Sequence, residues 1–141
     1  MGAVGKYVRF TRPFTLLPPL LGVISGAITA WGSASNPHVL AGLPRQWTPA
    51  ILWTILLGSA CAALLNAASN TLNQIYDLEN DRLNKPHRAL CTGAISIRNA
   101  GWFTAVIYLF AVLPTWLVVV FPATSVSEKF FAPLSLSLIH I

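Results

Sequence analysis

The sequence predicts an all-α membrane protein, a polytopic bundle of transmembrane helices of which this chain carries three spans. Three observations predict it. Hydrophobic residues make up 55% of the chain and charged residues 9%, where a soluble domain carries roughly 25% charged residues. So few charges cannot clothe a globular surface, and lipid must cover much of it. Three uncharged apolar stretches each approach the about 20 residues that a helix needs to cross hydrocarbon. The basic residues cluster between those stretches, so the net charge of +5 marks a membrane edge and not a nucleic-acid surface.

The first span covers about 14–32, "FTLLPPLLGVISGAITAWG". A cleavable leader would share its basic preface, but the apolar run is too long for one. Gly22 and Gly26 form a small-xxx-small pair suited to close helix contact, and Pro18 and Pro19 are expected to kink the helix. The second span covers about 50–72, is rich in Gly, Ser, Ala and Cys, and is expected to continue as helix to about 84. Pro86 cannot extend that helix and steers its predecessor out of the α region. The third span covers about 101–121 and contains Pro114. A further apolar segment begins near 130, and the closing "LSLIHI" has no polar end. Residues 1–141 are therefore expected to be the N-terminal part of a single membrane domain.

Charge sets the direction. Lys6, Arg9 and Arg12 precede the first span, and Arg82, Lys85, Arg88 and Arg98 lie between the second and third. Only Arg45 lies between the first two. The positive-inside rule then places the N-terminus and the 82–98 loop in the cytoplasm. Cys61 and Cys91 form no CxxC pair, so neither a disulfide nor a zinc site is expected, and Cys61 suits helix packing. Trp31, Trp47, Trp53, Trp102 and Trp116 suit interfacial anchoring or core positions.

The stretch "NQIYDLENDRLNKPHR", 73–88, holds three of the four acidic residues. Asn73, Asp77 and Asp81 are spaced four apart, so on a helix each step drifts only about 40° and the side chains share a face. Ser69 continues that face backward, and Glu79 points elsewhere. An Asn carbonyl with two carboxylates suits a hard cation such as Mg²⁺, which shares its shell with water and substrate phosphate. The stripe contains no imidazole or thiolate, which disfavours zinc or copper. Arg82, Lys85 and Arg88 follow, and arginine grips phosphate oxygens well. Acid followed by base makes sense if a polyanion and its metal sit between them. The bland alternative is a self-neutralising membrane edge, with Asp81 and Lys85 as an i, i+4 pair. The shared register weighs against it, as do Asn66, Ser69 and Asn70, which lead into the stripe from within the span. Asn66 itself reads as an interhelical hydrogen-bonder.

The run "NQIYDLENDRLNKPHRALCTG" resembles the first aspartate-rich motif, Asn-x-x-x-Asp-x-x-x-Asp, of the UbiA superfamily of intramembrane prenyltransferases. Asn-Lys-Pro-x-Arg, Thr92-Gly93 and the N-terminal "RFTRPFTLLPP" add to it. The likeness is greatest to the homogentisate, quinone, chlorophyll and archaeal-lipid branches. It implies a bundle of about nine spans in which Mg²⁺, bound by two aspartate motifs, holds a prenyl diphosphate. Ionisation of that diphosphate then alkylates an aromatic or other lipophilic acceptor. By the same resemblance Asn73, Asp77 and Asp81 are metal ligands, the two aspartates serve catalysis, and Arg88, Lys85 and Arg12 contact the diphosphate. The second aspartate motif has no counterpart here, because no Asp follows Asp81 and Glu128 is the one later acid. Ala89 also replaces a proline usual in the family. The chain alone is thus expected to be inactive. The competing expectation is a small non-enzymatic three-span protein, or a transporter fragment, whose acidic stripe binds a cation or partner.

Overall fold

In the computed structural model the described residues are 2–42, 44 and 46–120. Arg45, the side chain of Trp116, Glu128 and the apolar segment from about 130 lie outside the described residues. Every described element is helical: α1 (Ala3–Phe10), a 3₁₀ turn (Pro13–Leu16), α2 (Leu17–Gly32), α3 (Pro37–Leu40), α4 (Pro49–Tyr76), α5 (Leu78–Asn84) and α6 (Ile97–Val120). Three helical stretches are long and apolar enough to cross a membrane: Pro13–Gly32, Pro49–Tyr76 and Ile97–Thr115.

Pro18 and Pro19 follow directly on the 3₁₀ turn within the first span. They fall in the opening turn of α2, where the backbone N–H groups have no partner within the helix and proline costs nothing in hydrogen bonds. Pro114 does lie inside α6, which continues through it. α4 starts cleanly: Thr48 caps it by accepting the Ile51 N–H at 3.3 Å, and Pro49 follows at the first helical position. At 28 residues α4 is about 42 Å long, more than the about 30 Å of hydrocarbon it would cross. One end must therefore project into a polar zone, and the amide- and acid-bearing end is the one suited to it.

α4 is the central helix and packs against α6 and, less extensively, α2. Its buried positions are small or polar: Ser59, Cys61, Ala67, Ala68, Thr71 and Gln74. Such side chains permit close approach without a hydrophobic drive between helices. Thr71 and Thr104 meet across the α4–α6 contact with their hydroxyl oxygens 2.8 Å apart. A side chain at Gly58 would come within 3.7 Å of Val23, so α2 approaches α4 there. Gly22 and Gly26 behave otherwise, with nothing among the described residues within 4 Å of where their Cβ atoms would be. The expected close contact through that pair is not made among the described residues.

The apolar core lies at the basic end of the bundle. Phe10, Leu78, Leu90, Ile95 and Ala100 are buried together, flanked by Tyr7, Ile75, Ala89, Cys91 and Phe103. Phe103 packs between Tyr7 and Phe10, at centroid distances of 4.7 and 6.2 Å. This cluster ties α1 to the loop after α5 and to the start of α6. The middle of the first span has no buried residue.

Candidate functional site

α4 stops at Tyr76, and Asp77 departs from helical geometry at φ −82°, ψ 7° before α5 resumes at Leu78. The expected single helix to 84 is thus interrupted within the acidic run. The interruption is slight, because Asp77 N–H still bonds to Asn73 C=O and Asp81 N–H to Asp77 C=O, both at 2.8 Å. Asn73 and Asp77 are exposed, whereas Asp81 is 3% exposed. Helical drift explains the difference. Ala67, Thr71, Gln74 and Leu78 define the buried face. Each four-residue step turns about 40° toward that face, so the stripe begins in the open at Asn73 and ends under cover at Asp81. Glu79 lies on the opposite side, exposed and paired with Arg82 at 3.2 Å.

Asp81 is covered together with a counter-charge. Its carboxylate accepts a hydrogen bond from the Arg88 guanidinium in a largely buried ion pair. Arg88 is on the loop that follows α5, and the loop is fixed at several points. Thr92 N–H bonds to Arg88 C=O at 2.9 Å, Ile95 N–H to Ala89 C=O at 3.1 Å, and the Lys6 ammonium to Ala94 C=O at 2.8 Å. Gly93 turns the chain at φ +73°, a conformation that costs a residue with a Cβ about 1–2 kcal/mol. Leu90 and Ile95 on either side insert into the core.

Beside this loop a cavity of about 730 Å³ opens between α1, the end of α4 and the loop. Lys6, Arg9, Arg12, Lys85, His87 and Arg88 line it, with Gln74 at its wall and no carboxylate in its lining among the described residues. Three diphosphate contacts expected from the sequence, Arg88, Lys85 and Arg12, therefore come together in one place. Lys6 and Arg9 join them, although the sequence marked these only as topology-setting charges. Their spacing of three, continued by Arg12, was the available signal. Asn73 and Asp77 do not line the cavity, and Asp81 meets it through Arg88.

Arg12 is the one non-glycine with positive φ among the described residues, at φ 56°, ψ 66°. That backbone costs about 1–2 kcal/mol for a residue with a Cβ. α4 makes several hydrogen bonds to the surrounding turn. Gln74 Nε2 donates to Phe10 C=O at 2.7 Å, Asn70 Nδ2 to Thr15 Oγ1 at 2.7 Å and Thr11 C=O at 3.3 Å, and Asn66 Nδ2 to Thr15 C=O at 2.6 Å. The expected interhelical bonding of Asn66 is present, and Asn70 and Gln74 extend it.

Comparison with known proteins identifies a family. The model of the UbiA prenyltransferase family matches residues 37–126. A digeranylgeranylglyceryl phosphate synthase of Thermococcus kodakarensis is 32% identical over 113 residues, covering 79% of this chain and 35% of that protein. Another of the same name from Thermococcus gammatolerans is 35% identical over 107 residues, covering 75% of this chain and 32% of its own length. Homogentisate phytyltransferase 1 of Arabidopsis thaliana is 29% identical over 115 residues, covering 82% and 26%. The chain spans about a third of the length of the archaeal relatives it matches. No solved structure matches it. With the matched region spanning α3 to α6 and enclosing both the acidic run and the basic loop, the chain belongs to the UbiA prenyltransferase family.

Proposed function

We propose that this chain supplies the diphosphate-binding part of an intramembrane prenyltransferase that moves a prenyl group from a prenyl diphosphate to a lipophilic acceptor. The observation that carries the reading is the cavity lined by Lys6, Arg9, Arg12, Lys85 and Arg88. Arg88 is already paired with Asp81, yet the lining as a whole carries excess positive charge, and a diphosphate has the charge and the oxygen geometry that guanidinium groups match bidentately. The relatives' names support a lipid or aromatic acceptor: they include a digeranylgeranylglyceryl phosphate synthase, a homogentisate phytyltransferase and a coumarin 8-geranyltransferase.

The donor set at the end of α4 suits a hard divalent cation. Asn73 and Asp77 offer exposed oxygens, and Asp81 offers a carboxylate already beside the cavity's Arg88. Mg²⁺ bound there would neutralise charge on the departing diphosphate. The chain's own residues do the rest: Arg88 and Lys85 grip the phosphoryl oxygens from the loop, and Arg12, Arg9 and Lys6 close on them from the N-terminal side. Departure breaks the allylic C–O bond, its electron pair leaves on the diphosphate, and the acceptor's aromatic carbon or hydroxyl oxygen attacks the cation and then loses a proton. The basic end faces the cytoplasm in this reading, because both of its charged segments obey the positive-inside rule.

The test is binding of geranylgeranyl diphosphate to the full-length protein in nanodiscs with Mg²⁺. Arg88→Gln and Lys85→Gln are each expected to weaken it about tenfold, the scale of one charge-assisted contact. Unchanged affinity in both would refute the site. This 141-residue chain by itself should show no turnover, since orientation of the acceptor needs elements outside it.

A further inference from the structure

We propose that Asn66, Asn70 and Thr15 are positioning residues, a hydrogen-bonded ladder that sets the backbone of Arg12 so that its guanidinium faces the anion. The inference rests on the reading of the basic cavity as a diphosphate site. It assigns a task to polar side chains inside a membrane span that touch neither the cavity nor the acidic run.

The geometry is directional. Asn70 Nδ2 donates to Thr15 Oγ1 at 2.7 Å, and the same hydroxyl donates to the Arg12 carbonyl at 2.8 Å. Thr15 N–H bonds to that carbonyl as well, at 2.9 Å. One rung up, Asn66 holds the Thr15 carbonyl at 2.6 Å. The Arg12 peptide is thus clamped through Thr15 from two successive turns of α4. Ordinary interhelical glue would need only some acceptor on the facing helix. Here the donors converge on the short turn that carries Arg12, the residue with the left-handed backbone.

That backbone has a consequence for the side chain. Taking φ from positive to negative swings Cβ to the other side of the chain, so the ladder decides where the guanidinium is delivered. A glycine would adopt the turn without strain but would deliver no charge. An arginine kept in this conformation by bonds from another helix is what a prearranged anion contact requires.

The test measures inorganic pyrophosphate binding with Mg²⁺ by full-length protein in nanodiscs, across Arg12→Gln, Thr15→Val, Asn70→Leu and the double variant Arg12→Gln/Thr15→Val. Thr15→Val retains shape and lies outside α4, so it reports even if Asn70→Leu fails to fold. Arg12→Gln and Thr15→Val should each weaken binding about tenfold. The double variant should be no weaker than Arg12→Gln alone, because the hydroxyl acts through the arginine. Hydrogen exchange at the Thr15 amide should accelerate in Thr15→Val. If Thr15→Val lowers only thermal stability, or if its effect adds to that of Arg12→Gln, the ladder is structural glue and the proposal fails while the cavity reading stands. If Arg12→Gln, Lys85→Gln and Arg88→Gln all bind pyrophosphate normally, the cavity reading fails and takes the ladder with it.

Discussion

Replacing Arg88 by methionine should destabilise the protein more than any other loop substitution. Its partner Asp81 has a side chain 5% exposed, and Arg88 itself is 14% exposed, so solvent screening does little for either charge. Asp81 has no other side-chain hydrogen bond among the described residues. Truncating Arg88 strands a carboxylate that burial has already stripped of water, a change that costs about 3–5 kcal/mol. Asp81→Asn should cost less, because the amide oxygen still accepts from the guanidinium and Arg88 can turn toward the cavity. Arg88→Met/Asp81→Leu should recover much of the loss, since a buried pair replaced by apolar groups is often near neutral. Chemical denaturation of the full-length protein in mixed micelles, run as a double-mutant cycle, measures the coupling. Additive single losses would mean that the pair is solvated, and the burial argument for Asp81 would collapse.

Asp77→Asn should lower prenyl transfer by at least about 10²-fold, the scale of losing one preorganised electrostatic group, while Glu79→Gln should have little effect. The two carboxylates point about 160° apart on the helix, and steady-state rates over a Mg²⁺ titration distinguish them. Gly93→Val should destabilise the loop by about 1–2 kcal/mol through its left-handed backbone, seen as a lower melting temperature and faster exchange at the Leu90 and Ile95 amides. Single cysteines at 38–42 should be labelled from the side opposite to one at residue 85; labelling of both from the cytoplasm would invert the topology.

The spans were legible because length and lack of charge are local properties. α4 and α6 can be read directly from "AILWTILLGSACAALLNAAS" and "GWFTAVIYLF". The place of Pro18 and Pro19 was less legible, because it depends on where the helix starts, and the 3₁₀ turn at Pro13–Leu16 puts them in the first turn of α2. The register of Asn73, Asp77 and Asp81 was also legible, but not the burial of its last member. A drift of about 40° per step matters only once the buried face is known, and Thr71, Gln74 and Leu78 define that face through contacts with other elements. The Asn66, Asn70, Gln74 repeat was in plain view. Its acceptors lie 51–64 residues away, on carbonyls and one hydroxyl of a turn that no local pattern announces.

Lys6 and its acceptor carbonyl at Ala94 are 88 positions apart, and Phe10 shares its cluster with Ala100. A ribosome adding 5–20 residues per second therefore leaves the N-terminal helix without its neighbours for roughly 4–18 s. Two spans have entered the bilayer before the first turn of α6 emerges to close the cluster. In that interval α1 offers Tyr7 and Phe10 as bare aromatic surface, with Lys6 and Arg9 beside them. Such a segment can rest at the lipid headgroups, its rings in the acyl boundary and its cations on anionic phosphates. Assembly then moves Lys6 and Arg9 from anionic lipid phosphates to a cavity lined by further cations, so the charges that hold the nascent helix at the headgroups become part of the finished site's wall.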